Sequence, residues 1–143
     1  MHTLDREAEQ LKISGIAHTP PIDLSFLTDD VSNFDLPQTI ALLVPGGARH
    51  RTAKRWPAAN YAKLASYLSS RGIAPVVIGG AAESDAIKTI CEREPLAVNL
   101  AKRTTIGHLA ELGRKARFAI GNDTGPMHII AAAQCPSFIL FSG

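Results

Sequence analysis

The chain has 143 residues, 45% of them apolar and 20% charged, with a formal net charge of +2. That length suits one domain with its own core, the composition excludes a disordered or fibrous chain, and so small an excess of cations gives no general affinity for nucleic acid. No apolar run reaches the roughly 18 residues of a membrane span and no leader pattern opens the chain. Cys91 and Cys135 have no metal-type spacing, so a cytoplasmic protein with reduced thiols and no bound metal or cofactor is expected.

Residues 4–13 predict a short charged helix with Leu4, Ala8, Leu11 and Ile13 along one side, stopped by Ser14-Gly15. Residues 16–38, with Pro20-Pro21, Asp29-Asp30 and Pro37, keep no period. They read as a linker or strap lying on a neighbouring surface, with Leu24, Phe26 and Leu27 as anchors. The continuous apolar run at residues 40–44 predicts a strand buried on both faces. A helix over residues 57–70 follows, with Pro57 in its first turn and Tyr61, Leu64, Ala65 and Leu68 at helical spacing. Residues 75–78 predict a second strand, 83–93 a helix with Ala86, Ile87 and Ile90 inward, and 98–100 a short strand. Thr105 is placed to cap a helix through Ile106, Leu109 and Leu112 to Lys115. A strand over 117–120, a turn over 121–126, a helix over 127–133 and a strand over 136–141 complete the order.

Strands alternating with amphipathic helices predict an α/β, Rossmann-like parallel sheet with helices on both faces. Ligands of such sheets bind where the strand-to-helix loops gather. Three of those loops carry chemistry. The first, residues 45–57, begins Pro45-Gly46-Gly47 and holds Arg49, His50, Arg51, Lys54 and Arg55 before Trp56-Pro57. Glycines admit a ligand close to the backbone, a helix start offers free amides, and Lys54 with an arginine fork suits a diphosphate, although the Walker A spacing is absent. A solvated basic loop with Trp56 in the core fits the composition equally well. In the second loop, residues 79–85, Glu83 reads either as a helix-start carboxylate or as an acceptor for sugar hydroxyls. In the third, Gly121-Asn122-Asp123-Thr124-Gly125-Pro126-Met127-His128, Asp123 or Thr124 is placed to cap the next helix, amides near Gly125 face outward, and His128 lies one turn further in. A dinucleotide fingerprint and a nucleophile elbow are both missing.

Taken together, residues 45–57, 79–83 and 121–128 resemble glycosyltransferase family 9, the ADP-heptose:lipopolysaccharide heptosyltransferases. Residues 99–104 resemble the family's N-L-A-G-x-T segment, with Lys102 in place of the usual glycine. The resemblance implies the C-terminal half of a two-domain GT-B fold, incomplete at its own C-terminus, with residues 1–38 as interdomain helix and linker and 39–143 as the nucleotide-sugar-binding domain. It implies that Lys54 meets the donor diphosphate and steadies the leaving group. Glu83 would bind the nucleoside at ribose and Asp123 would orient sugar hydroxyls. Thr124, Gly125 and Pro126 would form the turn at the diphosphate, with His128 beside it. The catalytic base is expected in an N-terminal domain that this chain lacks. Arg49 and His50 stand where some members carry hydroxyl residues, which leaves ADP-heptose open against other nucleotide sugars. The implied partners are a nucleotide-sugar donor and a glycan or lipid-linked acceptor, in lipopolysaccharide or related glycan synthesis, either free in the cytoplasm or peripheral at the inner membrane. A stand-alone binding module without turnover, or a fragment without stable function, are the alternatives.

Overall fold

The computed structural model describes residues 3–47 and 55–141. Helix α1 spans Thr3–Ile13, and a single 3-10 turn at Ser32–Phe34 precedes the sheet. Strands β1 (Ile40–Val44), β2 (Ala74–Val77), β3 (Val98–Asn99), β4 (Phe118–Asn122) and β5 (Ser137–Leu140) alternate with α2 (Ala58–Ser70), α3 (Ser84–Arg93), α4 (Ile106–Lys115) and α5 (Gly125–Ala132). All strand pairs are parallel, in the order β3-β2-β1-β4-β5. The expected parallel sheet with helices on both faces is therefore present. The chain winds outward from β1 to β3, then crosses to β4 on the other side of β1, so the topology reverses between β1 and β4. In open α/β sheets that point opens a crevice at the carboxyl ends of the strands.

β1 is the central strand and is buried along its whole length. Its side chains alternate between two cores, as the strand period of two requires. Ile40, Leu42 and Val44 join Leu109, Leu112, Met127 and Ile130 from α4 and α5. Ala41 and Leu43 join Tyr61, Ala65, Leu68, Ile87 and Ile90 from α2 and α3. Truncating a fully buried residue such as Leu42 to alanine costs about 2–5 kcal/mol. β3 pairs only with Val76 and Val77. Pro75, opposite Ala41 on β1, thus has a partner strand on one side only, where its missing N–H is tolerated.

Four details differ from the sequence reading. β4 continues through Gly121 and Asn122, and α5 begins at Gly125 instead of Met127. The turn between them shrinks to Asp123-Thr124, because pairing with β1 and β5 carries the ladder to Gly121 and Asn122. Ile106 heads α4 but remains 59% exposed, ahead of the turn that packs. The apolar side of α1 is also uncovered among the described residues, with Ile13 83% exposed; the side chain of Leu4 lies outside them.

The fourth difference concerns the strap. Phe26 is exposed, whereas Val31 and Phe34, which the sequence reading did not single out, are buried in the core beside α4. Polar contacts complete the docking. Arg114 donates to the Leu24 and Leu27 carbonyls, and the Thr105 hydroxyl donates to Asp29. Nδ1 of His108 accepts the Thr105 N–H at 3.1 Å, so in the neutral ring Nε2 carries the hydrogen and donates to the Asp30 carbonyl at 3.0 Å. Gly107 permits this approach: a Cβ there would stand 2.9 Å from both the Asp29 Cβ and the Thr28 carbonyl oxygen.

Candidate functional site

A cavity of about 530 Å³ opens at the carboxyl ends of the strands. Its wall takes Val44, Gly46 and Gly47 from the loop after β1, Ile78, Gly79, Gly80 and Glu83 from the loop after β2, and Lys102 and Thr104 from the turn after β3. Asp123, Thr124, Gly125 and Pro126 from the turn after β4 complete it, with Leu109 of α4. Of the seven residues singled out from the sequence, the structure thus brings Glu83, Asp123, Thr124, Gly125 and Pro126 to one wall. Lys54 lies outside the described residues, as do Arg49, His50 and Arg51. His128 stands beside the wall rather than in it, its Nε2 3.1 Å from the Asp123 carboxylate. Both side chains of this pair are more than half exposed, so it orients Asp123 more than it stabilises the fold.

Glu83 takes the helix-start role that one reading of the second loop gave it. Its Oε2 accepts the Gly80 N–H at 2.9 Å, which secures the start of the following helical segment. Its carboxylate also lies along Gly46, where a Cβ would meet the Glu83 side chain at 3.5 Å. The first two loops therefore meet with an acidic group between them.

Thr124 occupies the N-cap position of α5 but makes no capping hydrogen bond, and Asp123 instead faces His128. The Thr124 hydroxyl oxygen is buried without a partner among the described residues. The first-turn amides of α5 have no partner within the helix and carry the positive end of its dipole. Pro126 gives up an N–H that the helix has no use for. The result is a small anion-favouring corner next to the Asp123 carboxylate.

Asn122 holds the corner together. Sequence reasoning passed over it as a turn residue. It is 2% exposed. Its amide nitrogen donates to the Pro45 and Gly46 carbonyls at 3.1 and 2.8 Å, and its oxygen accepts the Trp56 N–H at 3.1 Å. One side chain thus ties both ends of the basic loop to β4. The available signal was a polar residue at the end of an otherwise apolar central strand, which must find partners if buried. Trp56 packs edge-to-face on Tyr61 with ring centroids 4.8 Å apart. Burial pushes the Tyr61 phenol well above its ordinary value, and its hydroxyl donates to the Val44 carbonyl. Arg55 donates to the Gly47 carbonyl and leaves its buried Nε without a partner among the described residues. Burial likewise raises the pKa of Cys91 and of Cys135, which are both free thiols. No group of three or more potential metal ligands occurs among the described residues. None of their helices is long and apolar enough to cross a membrane.

Comparisons with known proteins place this arrangement. The model of glycosyltransferase family 9 (heptosyltransferase) matches residues 2–142. Lipooligosaccharide heptosyltransferase 2 of Haemophilus influenzae is 35% identical over 100 residues, which are 66% of this chain and 29% of that protein. The chain thus spans under a third of the length of this curated relative. The solved structure of E. coli ADP-heptose lps heptosyltransferase II aligns with a TM-score of 0.69 and 31% identity over 76% of this chain and 35% of its own. E. coli heptosyltransferase WaaC with ADP-2-deoxy-2-fluoro heptose shares the fold, with a TM-score of 0.71 over 97% of this chain and 44% of its own, at 21% identity. The family match along nearly the whole sequence, on a parallel sheet of the same fold, makes the chain a member of glycosyltransferase family 9.

Proposed function

We propose that this chain is the donor-binding part of an inverting glycosyltransferase in lipopolysaccharide or related glycan synthesis, taking a nucleotide sugar of the ADP-heptose kind. The observation that carries the reading is the convergence of Glu83 and the Asp123–Pro126 turn on one cavity where the strand order reverses. The solved WaaC structure with an ADP-linked fluoro-heptose supports it by shared fold. Under this reading residues 1–38 are the interdomain segment and 39–143 the donor domain.

The roles follow from the chemistry of each group. The diphosphate is assigned to the start of α5, where backbone amides meet its charge, and Lys54 keeps the diphosphate role that the family resemblance implies. Asp123 accepts from sugar hydroxyls, and Glu83 accepts from the ribose. In the reaction an acceptor hydroxyl attacks the anomeric carbon. The bond to the diphosphate oxygen breaks, the nucleoside diphosphate departs with the electron pair, and the configuration inverts. Positive charge at the leaving group is this chain's contribution. The base that takes the hydroxyl proton is assigned to an acceptor-binding domain.

Calorimetric titration with ADP, UDP and their sugar conjugates tests the reading. Saturable binding of a nucleoside diphosphate is the expected result. A folded protein that binds none of them overturns it.

A further inference from the structure

The cavity wall contains a residue that its fold does not ask for. Lys102 has φ +59°, in the left-handed region, where any side chain with a Cβ is disfavoured and glycine is not. The backbone leaves no freedom to escape. The Lys102 N–H donates to the Gly79 carbonyl at 2.9 Å, Leu100 is bonded to Val77, Arg103 to Leu100, and the Asn99 side chain accepts the Ala101 N–H at 2.9 Å. The turn is fixed to β2, and it fixes the root of a lysine at the cavity. Lys102 forms no ion pair with any described residue, although the two carboxylates of the wall belong to Glu83 and Asp123. Among the described residues of that wall it is the one cation. Lys102 is exposed and shares the left-handed region with Asp35 and Gln134; what sets it apart is that its strained turn roots a cation at the cavity on the strand carboxyl ends.

Its place in the sheet says which part of the ligand. The wall runs from the β3 turn past β2 and β1 to the β4 turn. The anion-favouring corner is at the β4 end. Lys102 and Glu83 are at the other, with Gly79 bonded directly to Lys102. We infer that Lys102 is a specificity-determining residue whose ammonium donates to a hydrogen-bond acceptor on the nucleoside, base or ribose, rather than to the diphosphate. This inference rests on the proposed donor site and adds to it a cation at the nucleoside end.

Calorimetry with ADP, UDP and the matching monophosphates on wild type, Lys102→Gly and Lys102→Met tests it, with thermal denaturation alongside. Both variants are expected to weaken the preferred diphosphate and its monophosphate by the same factor, roughly ten- to a hundredfold, as for loss of a charged donor. Lys102→Gly should keep or raise the melting temperature, since it relieves the left-handed lysine. Unchanged affinity in both variants overturns the inference and leaves the donor site standing. A loss confined to the diphosphate overturns it too, because the contact would then lie on the terminal phosphate. Failure of wild type to bind any of the four nucleotides removes the donor site itself and this inference with it.

Discussion

The two ends of the sheet each carry a concavity, and they differ in how their polar groups are spent. The one at the start of β1 is larger, about 690 Å³, and is lined by Asp29, Asp30, Asp35, Glu111 and Lys115. Three of its four acids already have work: Asp29 accepts from Thr105, Asp30 from the Ser32 N–H, and Glu111 from Arg114. The one at the strand carboxyl ends is smaller, about 530 Å³, yet it gathers open helix amides and, among the described residues, an unbonded threonine hydroxyl and a lysine without an ion pair. Size does not rank the two. What the smaller one adds is a buried hydroxyl without a partner among the described residues, where buried polar groups otherwise pair within the fold.

Substitutions at each end sharpen the contrast. The largest effect is expected from Asn122→Ala. It strands the Trp56 N–H and two carbonyls, costing about 2–4 kcal/mol of stability in urea unfolding, and nucleotide affinity should fall with it. A stable variant with intact binding would show that Asn122 does not hold the rim. Next come Asp123→Ala and Lys54→Ala. Each should weaken nucleotide-sugar binding by about 1–3 kcal/mol. For Asp123→Ala, stability should shift by less than about 1 kcal/mol, since its partner is an exposed histidine. If neither variant changes affinity, the site assignment is wrong.

Gly107→Ala addresses the opposite end. Its Cβ would press on Asp29 and the Thr28 carbonyl, so stability should drop by at least about 1 kcal/mol while nucleotide affinity stays the same. Equal loss of both would mean that the two ends are coupled.

The smallest effect concerns pH. Hydrogen bonds from Thr105 and from the Ser32 N–H hold Asp29 and Asp30 below their usual value of 3.8. With folded values depressed, their contribution is present above pH 3.8 and is lost as pH falls through the lowered values. Asp29→Asn should therefore flatten the acid limb of a stability-against-pH curve. An unchanged limb would remove Asp29 from the account.

The order of strands and helices was legible because β1 is uniformly apolar and α2 repeats at helical spacing; both patterns are local. The grouping of Glu83 with the 123–126 turn followed from topology, since parallel crossovers bring strand-to-helix loops to one end. What escaped was set by distant partners. Asn122 looked like a turn residue because its partners are 66 to 77 positions away. The strap has no period, so the buried Val31 and Phe34 could not be told from the exposed Phe26. His108 had no assigned role until the strap was seen to lie across its ring. Lys102 was noticed as a departure, but its backbone conformation is visible only in coordinates.

Thr105 joins three parts of the fold. It caps α4 through the His108 N–H, grips the strap at Asp29, and directly follows Thr104 in the cavity wall. The segment leading into the sheet and the first turn of α4 thus meet on one hydroxyl, one residue from the cavity wall.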